Sequence, residues 1–347
     1  MNHILEALKK ARPNLATNSY KTYTSILRTL YKKVFPDDKE VDVAKFKEYK
    51  KFLDHLKDVE YNKRKTYLSA LYIISKMDEY QVQMSSDILT YKNEQDKQEM
   101  NTKQQENWES QEQIKSLVDK YARNVKLILA KNEPLDKKEK TYYQGYIILC
   151  LYSGVYIKPR RLKDYTDFKF RNVTNKDNYF EIAKQGRSKI YRAVFNSYKT
   201  AKFHGAEIFP ISKELYDIVH KYVVDVKPEG DYLLTDTNGK QLSSVKLNQR
   251  INRLFDGKHV GCNILRHSFV TEKSKEPRTL LEMQETAKEM GHSVMQQLLY
   301  VKNPPKETTQ SVQPKEPKEK ATRKVKATKR SSGFGDSVIH SDGGADV

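Results

Sequence analysis

Apolar side chains recur at helical spacing through the first ninety residues of the chain. The stretch from Ser19 to Phe35 places apolar residues at the i, i+3, i+4 and i+7 positions of one helix face, and Pro36 ends that helix. Two more amphipathic stretches follow, one from Val43 to Leu56 and one from Asn62 to Met77. The pattern predicts a small helical bundle over residues 1–90.

The pattern fades between residues 91 and 108, where the sequence is polar and contains few residues that could enter a core. Such a composition indicates a linker or an exposed helix end. Ser110 and Gln113 then form a capping-box pattern ahead of a new apolar stripe. A second domain is therefore predicted over residues 109–303.

This second region mixes helical and strand periods. Residues 141–155 are apolar on nearly all sides, as in a buried central helix, and helical patterns return after Ser244. Between residues 179 and 211 the runs "YFEIA", "YRAVFN" and "EIFPI" are separated by polar turns, which predicts a small antiparallel sheet. The expected fold class is α+β and mostly helical.

Residues 304–347 are rich in lysine and proline and almost without apolar side chains. We expect a disordered basic tail, because such a sequence cannot bury enough apolar area to offset its ordering entropy. Its basic run from Lys315 to Arg330 is compatible with non-specific DNA contact, nuclear import or solubility, and we favour DNA contact.

The net charge of the chain indicates the kind of partner that it binds. The chain has 64 Lys and Arg against 45 Asp and Glu, a formal net charge of +19, which favours a polyanionic partner over a merely soluble lysine-rich protein. Lys63, Arg64 and Lys65 begin a predicted helix and are candidate DNA contacts, although a solvated helix end is the commoner role for such residues.

The two cysteines form no CxxC pair, and no apolar run approaches the ~20 residues that span a bilayer. We expect an intracellular, soluble protein without disulfides.

Several features of the second region suit phosphoryl transfer. Arg160 and Arg161 follow the buried helix, with Asp164 placed to orient a guanidinium, and Lys199 lies in a turn between two strands. Guanidinium forks match the non-bridging oxygens of a phosphate under attack, and a lysine can protonate the leaving oxygen.

Three further residues complete this set. Arg266 stands inside an apolar run, where a cation is costly without a partner, and His292 is followed eight residues later by Tyr300. A histidine can bind a phosphate oxygen, and a tyrosine activated by cations can act as a nucleophile. Each feature alone is more often surface charge, a helix cap or core packing.

The order of these residues resembles the tyrosine recombinase (phage integrase) family. Its R-x-x-E pattern resembles Arg161 to Asp164 with Asp in place of Glu, and its H-x-x-R motif resembles "NILR". Carried over position by position, the resemblance implies the catalytic set Arg161, Lys199, Asn263, Arg266, His292 and Tyr300, with Tyr300 as nucleophile and Asp164 as a supporting residue.

Two positions depart from the family pattern. Asn263 replaces the first histidine and can bind a phosphate oxygen but cannot shuttle a proton. The first catalytic arginine is also ambiguous. We prefer Arg161, because Asp164 then occupies the acidic position of the R-x-x-E pattern, and Arg160 is the substitute.

The resemblance implies a site-specific recombinase or integrase, and we expect it to belong to a virus or mobile element and, if viral, to act in the host cytoplasm or nucleus. It would cleave and rejoin double-stranded DNA through a 3′-phosphotyrosyl intermediate, without metal or nucleotide cofactor, as a homo-tetramer on two DNA sites. The N-terminal domain would be a SAM-like DNA-binding domain. A type IB topoisomerase-like enzyme, a catalytically inactive DNA-binding relative and a structural basic protein remain as alternatives.

Overall fold

The computed structural model describes residues 3–256 and 258–303, which form fifteen α-helices, a short 3-10 helix and three strands. The helices of the N-terminal part are α1 (His3–Ala11), α2 (Thr17–Val34), the 3-10 helix (Val43–Lys47), α3 (Tyr49–Leu56), α4 (Tyr61–Ser75), α5 (Asp78–Asp96) and α6 (Thr102–Glu106). The elements that follow are α7 (Gln111–Leu129), α8 (Lys137–Tyr152), α9 (Leu162–Thr166), β1 (Asn178–Gln185), β2 (Ser188–Phe195), α10 (Ala201–His204), β3 (Glu207–Pro210), α11 (Lys213–Val226), α12 (Ser244–Leu254), α13 (Cys262–Lys273), α14 (Leu280–Glu289) and α15 (Val294–Leu298).

Helices α1 to α5 enclose one hydrophobic cluster. Leu27, Leu30 and Tyr31 of α2 are buried in it, on the face that the apolar spacing predicts. Phe46 and Phe52 stack against each other inside the same cluster. The predicted helical bundle is therefore present in the N-terminal part.

A second cluster surrounds α8. All residues of this helix from Tyr143 to Tyr152 are buried, which explains why its sequence is apolar on every side. The capping box predicted at Ser110 and Gln113 is present at the start of α7, which packs against α8.

The sheet is antiparallel with strand order β1-β2-β3. In its register Tyr179 pairs with Val194, and Val194 pairs in turn with Ile208 of the short third strand. The fold is α+β and mostly helical, as predicted.

The chain turns sharply after α8 and so brings residues 155–161 toward α13. Gly154 makes this turn with φ +80°, and a Cβ there would clash with the ring of Phe269. Only glycine combines this backbone conformation with so close an approach.

The predicted tail and the predicted linker differ in how far the structure describes them. The predicted tail, 304–347, lies outside the described residues. The predicted linker, 91–108, contains the end of α5 and all of α6. Among the described residues, no helix is long and apolar enough to cross a membrane.

Candidate active site

Tyr300 lies two residues beyond α15, and its ring lies beside the side chains of Arg266, His267 and His292. Its hydroxyl oxygen accepts a hydrogen bond of 3.2 Å from Nε of Arg266, whose guanidinium carbon lies 4.8 Å from the ring centroid. The ring centroids of His267 and His292 lie 4.7 and 5.2 Å from that of Tyr300. Tyr300 is thus a member of a polar, cationic cluster rather than of the main core.

Arg266 is fully buried, as its place in an apolar run required. Its Nη1 donates to the carbonyl oxygens of Pro159 and Met290 at 3.0 and 3.2 Å. Among residues 3–256 and 258–303, no carboxylate forms an ion pair with Arg266. Backbone oxygens therefore fix the orientation of the guanidinium but leave its positive charge uncompensated.

Arg160, not Arg161, is the partner of Asp164. Nε of Arg160 donates to Oδ2 of Asp164 at 2.8 Å, and Nη2 lies 2.8 Å from Oε2 of Glu207, an ion pair whose atoms are not aligned as a hydrogen bond. The guanidinium also lies 4.1 Å from the ring centroid of Phe195. The prediction that Asp164 supports Arg161 is therefore wrong. Asp164 lies four residues after Arg160 and pairs with that arginine instead.

Arg161 nevertheless faces the candidate site. It is the N-cap of α9, so its side chain leaves the helix on another side, and it donates to the carbonyl oxygen of Gly291. Burial lowers the pKa of Arg161, and the positive charge of Arg266 lowers it further. Two guanidinium groups thus lie close enough to repel each other.

His292 is neutral in this cluster. Burial lowers its pKa to about 3, and the nearby Arg266 and Arg161 act in the same direction. Nη2 of Arg266 lies 3.4 Å from Nδ1 of His292; because arginine only donates, this contact assigns Nδ1 as acceptor and the proton to Nε2. Nε2 is buried and has no hydrogen-bond partner among the described residues. It is a donor directed at no protein group.

Gly291, which precedes this histidine, is needed for packing. It has φ +69°, and a Cβ at this position would lie 2.8 Å from Nη2 of Arg160. The glycine therefore lets the chain after α14 pass directly over the buried arginine.

Lys199 and Asn263 lie further out. Lys199 is exposed in the loop between β2 and α10, where it lines a groove of about 680 Å³ together with Arg161 and His292. Asn263 is exposed on the first turn of α13 and lines a neighbouring groove with His267. The structure thus gathers Arg161, Lys199 and His292 around one groove, with Arg266 and Tyr300 beside it, but records no hydrogen bond from Asn263 to them.

The three basic residues at the start of α4 have different environments. Arg64 donates to both carboxylate oxygens of the buried Asp87 in α5, at 2.9 and 2.7 Å, and to two backbone carbonyls. Its guanidinium joins helices α4 and α5, and the DNA contact of Arg64 stays a prediction. Lys63 is exposed, and Nζ of Lys65 lies 3.9 Å from the ring centroid of Tyr91.

Two contributors were missed from the sequence. The family pattern assigns no role to His267, yet its Nδ1 lies 2.8 Å from the carbonyl oxygen of Tyr300. Glu207 was not considered, because only the folded sheet brings it to Arg160. The position of His267, next to Arg266 on a buried helix, was the one available signal.

No protein-family model and no curated protein matches the chain. Solved structures do. The crystal structure of XerA recombinase is 14% identical, covers 86% of this chain and 93% of that chain, and has a TM-score of 0.36.

Two further structures are similar to this chain. XerH site-specific recombinase bound to palindromic difH substrate, a post-cleavage complex, is 13% identical over 82% of this chain and 75% of that chain, with a TM-score of 0.46. The Tn1549 transposon integrase in complex with transposon right end DNA is 13% identical over 86% of this chain and 94% of that chain, with a TM-score of 0.47. These three solved chains are tyrosine recombinases.

Proposed function

We propose that this protein breaks and rejoins DNA strands as a site-specific recombinase or integrase, with Tyr300 as its nucleophile. The observation that carries the proposal is the contact between the Tyr300 hydroxyl and the buried Arg266, which pairs with no carboxylate in the part of the chain that the structure describes. An unpaired guanidinium in such a place is costly unless an anion joins it during function. A DNA phosphate supplies that anion.

The chemistry follows from the donors around the groove. Arg161, Arg266 and Nε2–H of His292 would bind the non-bridging oxygens of the attacked phosphate, on which negative charge grows as the fifth ligand approaches. Arg266 would also stabilise the charge that develops on the Tyr300 oxygen as its proton leaves. Asn263 lies one helical turn before Arg266 and would contribute at most a neutral hydrogen bond.

The bonds balance without an external energy source. The Tyr300 hydroxyl gives its proton to solvent water and its oxygen forms a bond to phosphorus, the bond from phosphorus to the 5′ oxygen breaks, and Lys199 protonates that oxygen and regains a proton from solvent. The products are a 3′-phosphotyrosyl link and a free 5′ hydroxyl. Attack by a 5′ hydroxyl on the link reverses the step and joins a strand.

The proposed assembly rests on the resemblance of the catalytic motifs to the tyrosine recombinase family. Residues 1–90 and 109–303 would both contact duplex DNA, joined through residues 91–108, and four copies would act on two DNA sites. Chemical cross-linking on synapsed duplexes, resolved on a denaturing gel, tests the tetramer.

A duplex with a nick just 3′ of the attacked phosphate tests the chemistry. Loss of the short leaving strand should trap a covalent protein–DNA adduct that survives denaturation. Wild-type protein should form the adduct, and Tyr300→Phe should form none while it binds DNA with unchanged affinity. Wild-type protein that binds DNA without an adduct would instead support the inactive DNA-binding relative. Relaxation of supercoils without joining of two sites would support the topoisomerase.

A further inference from the structure

His267 contacts the main chain of the residue that we assign as nucleophile. It follows Arg266 on α13, and its Nδ1 lies 2.8 Å from the carbonyl oxygen of Tyr300. Burial lowers its pKa to about 4, so the ring is neutral near pH 7. Since a carbonyl oxygen only accepts, the proton lies on Nδ1 and His267 is the donor.

Thr271 continues the same contact one helical turn further along α13. Its hydroxyl oxygen accepts a 2.9 Å hydrogen bond from the backbone N–H of Lys302 and lies 3.5 Å from the carbonyl oxygen of Tyr300. His267 and Thr271 are four residues apart and therefore share one face of the helix. Together they fasten the chain from residue 300 to residue 302 onto α13.

Local structure does little to fix this segment otherwise. Helix α15 has only five residues, too few to be stable on its own, and the Tyr300 N–H donates to Gln297 at 2.9 Å as part of its last turn. Val301 packs with Tyr300 on a small cluster around Phe269 and Met290. Gln98 and Glu99 hold residues 302 and 303 through their carbonyl oxygens, whereas the contacts from α13 are made to the Tyr300 carbonyl itself. The contacts from α13 therefore help to set where the Tyr300 backbone lies relative to Arg266.

We infer that His267 is a positioning residue, which holds the Tyr300 main chain so that the phenol oxygen lies beside Arg266. The inference rests on the proposed function, because it concerns the nucleophile of that reaction. His267 does not touch the phosphate in this account and transfers no proton. It acts through the geometry of Tyr300 alone.

Three substitutions separate this role from a merely structural one. In His267→Asn the amide nitrogen can replace Nδ1, in His267→Gln the amide nitrogen reaches the position of Nε2 instead, and His267→Ala removes the donor. At saturating nicked DNA we expect adduct formation to slow about 10- to 100-fold in the Ala and Gln variants, since small displacements of a reacting group cost this much. The Asn variant should retain a rate within about threefold of wild type, and DNA affinity should be unchanged in all three.

Amide hydrogen exchange gives a second readout that does not depend on activity. The backbone from residue 298 to residue 303 should exchange faster in His267→Ala and His267→Gln than in wild type, and His267→Asn should restore protection. Thr271→Val, which removes the acceptor for the Lys302 N–H, should also raise exchange there.

The outcomes separate this inference from the proposed function. If wild type forms the adduct and His267→Ala forms it at the same rate, the inference is wrong and the function stands. If Asn and Gln are equally slow, the Nδ1 donor is not what matters and the inference is also wrong. If wild type forms no adduct at all, the proposed function fails and the inference fails with it.

Discussion

Two adjacent arginines have opposite roles at the scale of single residues. Arg160 is completely buried between Asp164 and Glu207, whereas Arg161 faces the groove with no carboxylate pairing it among the described residues. A cation that already has two carboxylates has little attraction left for a phosphate. An unpaired one gains strongly from phosphate binding. Burial alone would therefore rank Arg160 above Arg161 as a phosphate ligand, which is the reverse of the order that carboxylate pairing favours.

Alanine substitutions at these neighbours should give opposite results. Arg160→Ala leaves two buried carboxylates unpaired and should lower the free energy of unfolding by about 3–5 kcal/mol. Arg161→Ala should change it by less than about 1 kcal/mol yet slow adduct formation about 100- to 1000-fold. Urea unfolding and the nicked-substrate assay measure the two effects. The reverse pattern would make Arg160 the phosphate ligand.

Lys199 should matter only for the departure of the 5′ oxygen. Lys199→Ala should slow adduct formation about 100- to 10,000-fold on ordinary DNA, the usual contribution of a proton donor. A substrate with sulfur in place of the bridging 5′ oxygen has a leaving group that needs no proton, so it should restore most of the rate. The same substrate should not rescue His267→Ala, whose defect lies in the nucleophile. Equal rescue of both variants, or of neither, would contradict the assignment of Lys199.

Helix α13 is the element that organises the site. It supplies Arg266 to the Tyr300 hydroxyl, His267 to the Tyr300 carbonyl and Thr271 to the following backbone N–H. Leu265 of this helix is buried in the main hydrophobic cluster, and Phe269 is buried in the small cluster on which Tyr300 packs. One rigid element thereby positions the proposed nucleophile and its cationic partner together, which is what a precise site requires.

In the N-terminal part, the ion pair between Arg64 and Asp87 joins α4 to α5 and should contribute to stability. Arg64→Ala should lower the free energy of unfolding by about 3–5 kcal/mol, because it leaves Asp87 buried and unpaired. Lys63→Ala should leave stability within about 0.5 kcal/mol of wild type. If Lys63 contacts a phosphate, its loss should reduce the slope of log affinity against log salt by about 1. An Arg64 variant of unchanged stability would contradict the structural role.

At the scale of the whole molecule, the segment after α5 touches the segment that carries Tyr300. The Asn303 N–H donates to the Gln98 carbonyl at 2.9 Å, Nζ of Lys302 lies 3.3 Å from the Glu99 carbonyl, and Glu99 and Asn303 form a parallel bridge. The chain that leaves the N-terminal helices is therefore in direct contact with the segment that follows α15. A displacement of residues 98–99 would therefore strain or break their hydrogen bonds to residues 302–303.

Sequence periodicity was sufficient for the helices and the sheet, because each amphipathic face and each alternating run is a local property. The order of the motifs and the resemblance to the tyrosine recombinase family made Arg266, His292 and Tyr300 candidates, which periodicity alone could not do. The sequence could not choose the partner of Asp164, because Glu207 and Phe195 reach Arg160 only through the folded sheet. It could not identify His267 either, because a hydrogen bond to a distant carbonyl leaves no spacing signal.

Mapping the attachment site tests the central claim most directly. Wild-type protein, Tyr300→Phe and the control Tyr216→Phe, whose ring packs on Tyr191 away from the site, should be reacted with the nicked duplex, digested and analysed by mass spectrometry. We expect the wild type and the control to carry a nucleotide adduct on the peptide containing Tyr300, and Tyr300→Phe to carry none. An adduct on another residue, or its persistence in Tyr300→Phe, would contradict the assignment of Tyr300 as nucleophile.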